Sequence, residues 1–237
     1  MAYLGAAVIL GLVVLVHEMG HFAAARWSGV PVARFSVGFG PALWSRTRGR
    51  TEFRLAVFPL GGYVLLGLND ETSYLALPLR KRLFFCLGGP AANLGSALVL
   101  FACLNLITQG PSLTGLLLQP LVQTGQAMVT LGSALAGLFS GSGQLSGLIG
   151  IVTEGGRLVG VDLVRAVSFG LIMSLNLAFF NLLPLPPLDG GKILLDLLHW
   201  LRPGLSRLYL PVTLGGWLLV AGLMLYATAL DVGRLLA

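Results

Sequence analysis

Charge is what this sequence has least of. Only 10% of its 237 residues are Asp, Glu, Lys or Arg, against roughly 25% in soluble domains. A water-facing surface cannot be assembled from so few charges, so a soluble enzyme is excluded. Disorder is excluded as well, because 56% of the chain is hydrophobic and disordered chains are poor in such residues. Acidic residues are scarcer than basic ones, nine against fifteen, for a net charge of +6. Cysteine is nearly missing. Cys86 and Cys103 fall in one apolar run, where free thiols pack as small hydrophobes and build no disulfide framework. No internal repeat and no low-complexity linker stands out. What remains is a polytopic membrane protein with one domain, residues 1–237.

Four stretches reach the roughly 20 apolar residues that cross a hydrocarbon core: about 2–25, 83–107, 166–188 and 208–230. The first lacks the basic start of a signal peptide and carries His17, Glu18 and His21 at its far end, so it reads as a retained span. The loop after it holds Arg26, Arg34, Arg46, Arg48, Arg50, Arg54, Arg80, Lys81 and Arg82, and the loop after the third span holds Lys192, Arg202 and Arg207. Twelve of the fifteen basic residues therefore lie in two loops on one side. That placement points to a membrane surface and not to nucleic acid. The positive-inside rule makes the side cytoplasmic. The expectation is a multi-pass protein of the bacterial cytoplasmic (inner) membrane with both termini extra-cytoplasmic.

Residues 120–139 form a fifth apolar stretch. Gln119, Gln123, Gln126, Thr130 and Ser133 follow one another at helical spacing and share one face. This predicts an extra-cytoplasmic amphipathic helix in the interface or packed on the bundle. Residues 31–67 lack helical pattern. Partial alternation in Val32–Val37 and Thr51–Val57, with a turn at Thr47–Arg50 and a second at Pro59, Gly61 and Gly62, predicts a small β-hairpin or sheet on the cytoplasmic face. The expected fold class is therefore an all-α membrane protein of four transmembrane helices with a small membrane-associated β region.

His17-Glu18-Met19-Gly20-His21 is a His-Glu-x-x-His pattern. On a helix the histidines at i and i+4 lie on one face and reach a common zinc ion, and Glu18 lies beside them to take a proton from water. Ionisable groups within a span are expensive and are functional by default. Zinc wants a third protein ligand, and Asp189, after the third span, is the best candidate. With four spans, the first and third end on the same side, so His17, His21 and Asp189 can meet. If residues 120–139 also crossed, Asp189 would lie on the opposite side, and that stretch is therefore not counted as a span. The alternative for Asp189 is an N-cap of the following helix. His199 is a weaker ligand candidate and reads as an interfacial side chain.

Together, His17–His21 and Asn181-Leu182-Leu183-Pro184-Leu185-Pro186-Pro187-Leu188-Asp189-Gly190-Gly191 resemble the site-2 protease family of intramembrane zinc metalloproteases. The likeness is greatest to the bacterial branch with the regulator-of-sigma-E protease, and it covers nearly the whole chain. Phe35–Pro41 and Pro59–Val64 resemble that branch's membrane-associated β region, and Gly88–Asn93 its second-span motif. The resemblance implies that His17, His21 and Asp189 bind Zn2+ and that Glu18 is the catalytic base. It also implies that Asn176 and Asn181 hold substrate or the reacting carbonyl. Asn93, which follows Gly-Gly-Pro, is a further candidate for the site. Interhelical hydrogen bonding is the alternative for all of these asparagines and for Asn105. The implied partners are the lipid bilayer and single-span membrane proteins such as anti-sigma factors or signal-peptide remnants.

Two departures from the family pattern follow. About 58 residues separate Ile107 from Ala166, too few to hold the PDZ domain usual there beside the 120–139 helix. In Ser146–Ile151, Leu148 replaces the family's proline. Pro184, Pro186 and Pro187 are expected to end the third span in extended backbone. That backbone, or the edge of the 31–67 sheet, is expected to pair with an unwound substrate. Two rival readings are weaker. A transporter needs polar residues along several spans, and 208–230 has no charge. An inactive scaffold would tend to lose Glu18 or a ligand, and all are present.

Overall fold

A computed structural model describes residues 2–139, 155, 156 and 162–236. In chain order it contains α1 (Ala2–Trp27), β1 (Val32–Arg48), β2 (Thr51–Leu66), α2 (Glu71–Leu75) and α3 (Leu79–Gln109). A π-helical turn, Thr114–Leu118, leads into α4 (Gln119–Phe139), followed by α5 (Leu163–Asn181) and α6 (Asp189–Leu201). A 3-10 turn, Pro203–Leu208, then precedes α7 (Tyr209–Leu236). Four helices are long and apolar enough to cross a membrane: Tyr3–Trp27, Leu79–Gln109, Leu163–Asn181 and Tyr209–Gly233. The stretch around 120–139 is helical and is not among them, as its polar face predicted. The Ser146–Ile151 motif lies outside the described residues.

The third span is shorter than its hydropathy implies. It stops at Asn181, not Leu188. Leu182–Leu188 remains apolar, but Pro184, Pro186 and Pro187 lack the N–H that a helix needs. The segment closes instead through short turns, with Leu185 N–H donating to Leu183 O at 2.8 Å and Leu188 N–H to Leu185 O at 2.9 Å.

Helix α1 ends on a Schellman motif. Gly29 takes φ +70°, Val30 N–H donates to Ala25 O at 2.8 Å and Gly29 N–H to Arg26 O at 3.2 Å. Glycine supplies the left-handed residue that this cap requires. The cap redirects the chain into β1 two turns after His21, and it buries Val30 against Ala25 and Val32.

The β region is more folded than a hairpin. Ala42–Arg48 pairs antiparallel with Thr51–Ala56 around a turn at Gly49 (φ +64°), as its sequence predicts. Val32–Val37 pairs antiparallel with Gly62–Leu66, and Arg34–Val37 also lies in register with Glu52–Leu55, numbers rising together in both. Residues 56–61 carry the chain from one flank of Val32–Val37 to the other. They do so in extended backbone, with Gly61 at φ +146°, so the second turn expected at Pro59–Gly62 does not interrupt β2. Arg34–Val37 is consequently central, and the outer ranks are Ala42–Arg48 and Gly62–Leu66.

The contacts divide the chain into two compact units. One comprises residues 1–9, 94–179 and 215–237. Its core packs Ala97, Leu171 and Leu175 with Leu104, Met128 and Leu131, and beside them Ala6 packs on Phe169. Here the polar face of α4 finds its partner. Asn105 Nδ2 donates to Gln123 Oε1 at 3.1 Å and to Gly115 O at 2.9 Å, and Gln123 Nε2 donates back to Asn105 Oδ1 at 3.3 Å. Two amides exchanging bonds in an apolar setting tie α4 to α3. The other unit, residues 10–93 and 180–214, holds the sheet and every residue of the His-Glu-x-x-His pattern. Both cysteines are free, Cys86 buried and Cys103 exposed.

Candidate metal centre

Four residues of α1 bring His17 and His21 to one face, and the first residue of α6 brings Asp189 to meet them. His17 Nε2 and His21 Nε2 lie 3.1 Å apart, and each lies 3.1 Å from Asp189 Oδ2. All three residues are buried. Three atoms at equal separations cannot all be satisfied by protons between them, because two N–H groups aimed at the carboxylate would face one another. A cation near the centre satisfies all three at once. Ligands at 2.0–2.1 Å from a tetrahedral zinc stand about 3.3 Å apart, close to the separations here, so the donor set fits zinc in size and in kind.

Leu188 occupies the N-cap position of α6, leaving Asp189 as the first helical residue with its carboxyl turned to the imidazoles. The backbone of Leu182–Pro186 reaches this helix start because Gly190 and Gly191 present no Cβ, which would collide with it. Asp189 Oδ1, the oxygen turned from the histidines, accepts from Lys192 Nζ at 3.2 Å. Burial pushes the Asp189 carboxyl up, and the imidazoles and Lys192 beside it bring it below the usual carboxylate range. The Lys192 ammonium beside it favours the ionised carboxylate, the form that ligates.

Helix α3 backs the imidazoles. His21 Nδ1–H donates to Phe85 O at 2.8 Å, which directs Nε2 toward His17 and Asp189. The fully buried Asn93 side-chain amide reaches His17 Nδ1 at 3.3 Å. The structure puts Asn93 Nδ2 there; with a metal on Nε2, Nδ1 would carry the proton, and the amide turned over would accept it through Oδ1. Gly89 lies between these contacts. A Cβ on it would stand 2.6 Å from His17 Nε2 and collide with His21 Nε2. On the neighbouring position, Gly88 meets Gly20 of α1 backbone to backbone.

Asn93 thus stands behind His17, on the imidazole edge away from Asp189. Replacing Asn93 with Ala removes the partner that fixes the ring. The expected result is a loss of metal affinity of roughly 10–100-fold, read by competition with a chromophoric chelator. Unchanged affinity would show that the amide does not orient the ligand.

Glu18 is half-buried beside the pair. Gly62, at the start of the outer rank Gly62–Leu66, packs against it: a Cβ there would lie 3.0 Å from Glu18 Cγ. Asn181 ends α5 in the same unit as the histidines. Asn176 lies in the other unit, and its Nδ2 donates to Ile172 O of its own helix at 2.8 Å. His199 falls in the last turn of α6 and is not part of the His17–His21–Asp189 group.

Two supports escaped sequence reading. One is Lys192, whose only signal was its i+3 spacing from Asp189. The other is a buried ion pair between Arg82 and Asp196 at 2.8 Å, to which Tyr74 Oη–H donates at 2.9 Å. Asp196 lies two turns after Asp189 on the same side of α6, so the pair fastens the ligand's helix to α2 and α3. Arg82 is the last charge before the second span, and Asp196 is the second acid of α6, set among leucines. Those are the clues a pairing search would use.

Comparison with known proteins gives the same direction. The family model described as peptidase family M50 matches residues 5–216. A protein named protease RseP from Yersinia pestis is 44% identical over 105 residues, 40% of this chain and 23% of that protein. A regulator of sigma-E protease RseP from Salmonella typhimurium is 50% identical over 78 residues, 32% of this chain and 17% of that protein. The aligned segments span 25% or less of the length of the curated relatives matched.

Proposed function

The chain belongs to peptidase family M50, and from that premise we propose that it is an intramembrane zinc metalloprotease that hydrolyses peptide bonds in or near the transmembrane segments of other membrane proteins. The observation that carries this reading is the triangle of His17, His21 and Asp189 with Glu18 beside it. The reading gives His17, His21 and Asp189 the role of ligands. A zinc ion held there supplies Lewis acidity toward the scissile carbonyl and a water acidic enough to ionise near neutral pH.

The chain's own residues do the rest. Glu18 takes the proton of the attacking water and delivers it to the leaving amine. Asn181 is assigned to the substrate or its developing oxyanion, a role that hydrogen-bond donors fill. A peptide bond in a membrane helix is closed off by its own hydrogen bonds and by the lack of water, so the substrate must first be unwound. Gly62–Leu66, an outer rank that begins beside Glu18 at Gly62, is the place to receive it as an added strand. Arg34–Val37 cannot serve, since it is paired on both flanks. The substrates are single-span proteins, among them anti-sigma factors or signal-peptide remnants. The basic loops favour a site near the cytoplasmic side of the inner membrane, with the termini outside.

The test is cleavage of a reconstituted single-span substrate, with zinc quantified in the same vesicles. Expected are one zinc per chain, loss of cleavage when a chelator removes it, and recovery when zinc is returned. Cleavage that survives complete removal of metal would overturn the reading.

A further inference from the structure

The β1–β2 hairpin carries an arrangement that the metal centre does not use. Its outer arm alternates Trp44, Arg46 and Arg48 on one face, as strand geometry requires. Across from them, Trp44 pairs with Leu55 and Arg46 with Phe53. Trp44, Arg46, Thr47, Arg48 and Phe53 line one cavity of about 490 Å³. Trp44 is 54% exposed. Among the described residues neither Arg46 nor Arg48 has an acidic partner, and residues 42–50 contain no acid. Glu52, the nearest carboxylate in sequence, is held by Arg34 at 2.6 Å.

The hairpin is also graded along its length. Phe39, Leu43, Val57 and Phe58 are exposed toward its base, and an apolar patch of that kind marks contact with something other than water. Beyond Trp44 the sequence turns to Ser45-Arg46-Thr47-Arg48-Gly49-Arg50. Apolar residues, then a tryptophan, then arginines is the order of a bilayer from acyl chain through interface to headgroup.

We propose that the Trp44–Arg46–Arg48–Phe53 cavity binds the headgroup of an anionic phospholipid. Arg46 and Arg48 take the phosphate oxygens as charge-assisted hydrogen bonds, and Trp44 and Phe53 hold the glycerol and upper acyl region. The chemistry that selects the ligand is a phosphodiester with no balancing cation, such as phosphatidylglycerol. A zwitterionic headgroup brings its own ammonium against the two guanidiniums and is disfavoured.

The test leaves Trp44 as the single tryptophan by replacing Trp27, Trp200 and Trp217 with Phe in the full chain. The protein is reconstituted in phosphatidylcholine vesicles containing a small fraction of lipid brominated on its acyl chains, either phosphatidylglycerol or phosphatidylcholine. Trp44 should be quenched by brominated phosphatidylglycerol as if that lipid were enriched at the site on the order of tenfold. Arg46→Gln/Arg48→Gln should bring its quenching down to that of brominated phosphatidylcholine. Millimolar inorganic phosphate should not change the difference, and zinc content should not change in the variant. Equal quenching by both lipids in the parent overturns the proposal, as does a preference that survives in the double variant. Relief of quenching by inorganic phosphate, or by an acidic single-span peptide, would assign the cavity to those ligands instead and overturn it equally.

Discussion

Glu18→Gln abolishes cleavage and leaves zinc in place. Gln keeps the size of the side chain, so the packing against Gly62 is undisturbed. It cannot take a proton from water. None of the three converging donor atoms belongs to it, so the metal-binding triangle is intact. Loss of a general base costs typically 10²–10⁴-fold, which takes a slow intramembrane cleavage below detection. The check is zinc per chain and initial rate, measured on the same reconstituted samples of wild type and variant. Cleavage within tenfold of wild type would remove Glu18 from the chemistry. Loss of zinc would make Glu18 part of the metal's support.

The second large effect is expected from one methyl group. Gly89→Ala puts a Cβ where the imidazoles converge. Side-chain carbons do not approach nitrogen that closely, so His17 and His21 must rotate away and the triangle with Asp189 opens. Zinc binding and cleavage are both expected to be lost. Gly95→Ala, on the same helix, meets nothing within 4 Å and supplies the control. It should retain zinc and gain up to about 1 kcal/mol of helix stability. Metal content by elemental analysis, beside thermal unfolding of the metal-free proteins, separates the two outcomes. Full zinc in Gly89→Ala would show that α3 does not back the site.

Much of this centre was legible along the chain. The i, i+4 spacing of His17 and His21 is a property of a single helix. The choice of Asp189 followed from counting spans, because two spans of like direction end on one side. What was not legible depends on contacts across space. Lys192, Asn93 and the Arg82–Asp196 pair support the site from α6 and α3, and nothing in their spacing says which imidazole or carboxylate they face. The third span was overextended because Leu182–Leu188 is as apolar as the helix before it, and the absence of proline N–H groups ends the helix without changing hydropathy. The sequence leaves hairpin and sheet both open, since alternation shows strands but not their order. The order turns on residues 56–61, where proline and glycine suggest a break and the backbone stays extended.

The Gly20–Gly88 contact has a mechanical meaning. Consecutive residues of α3 serve two neighbours: Gly88 abuts the backbone of α1, and Gly89 abuts the imidazoles that α1 carries. Turning α3 by one residue, about 100°, would drive Ala24 and Gly20 against side chains at the crossing and swing Gly89 off the histidines together. The two helices therefore behave like a keyed shaft, in which torque on either one is transmitted to the coordination geometry. Bilayer thickness and lateral pressure, which set the tilt of such helices, should then register in the rate at which bound zinc exchanges, with no residue of the centre altered.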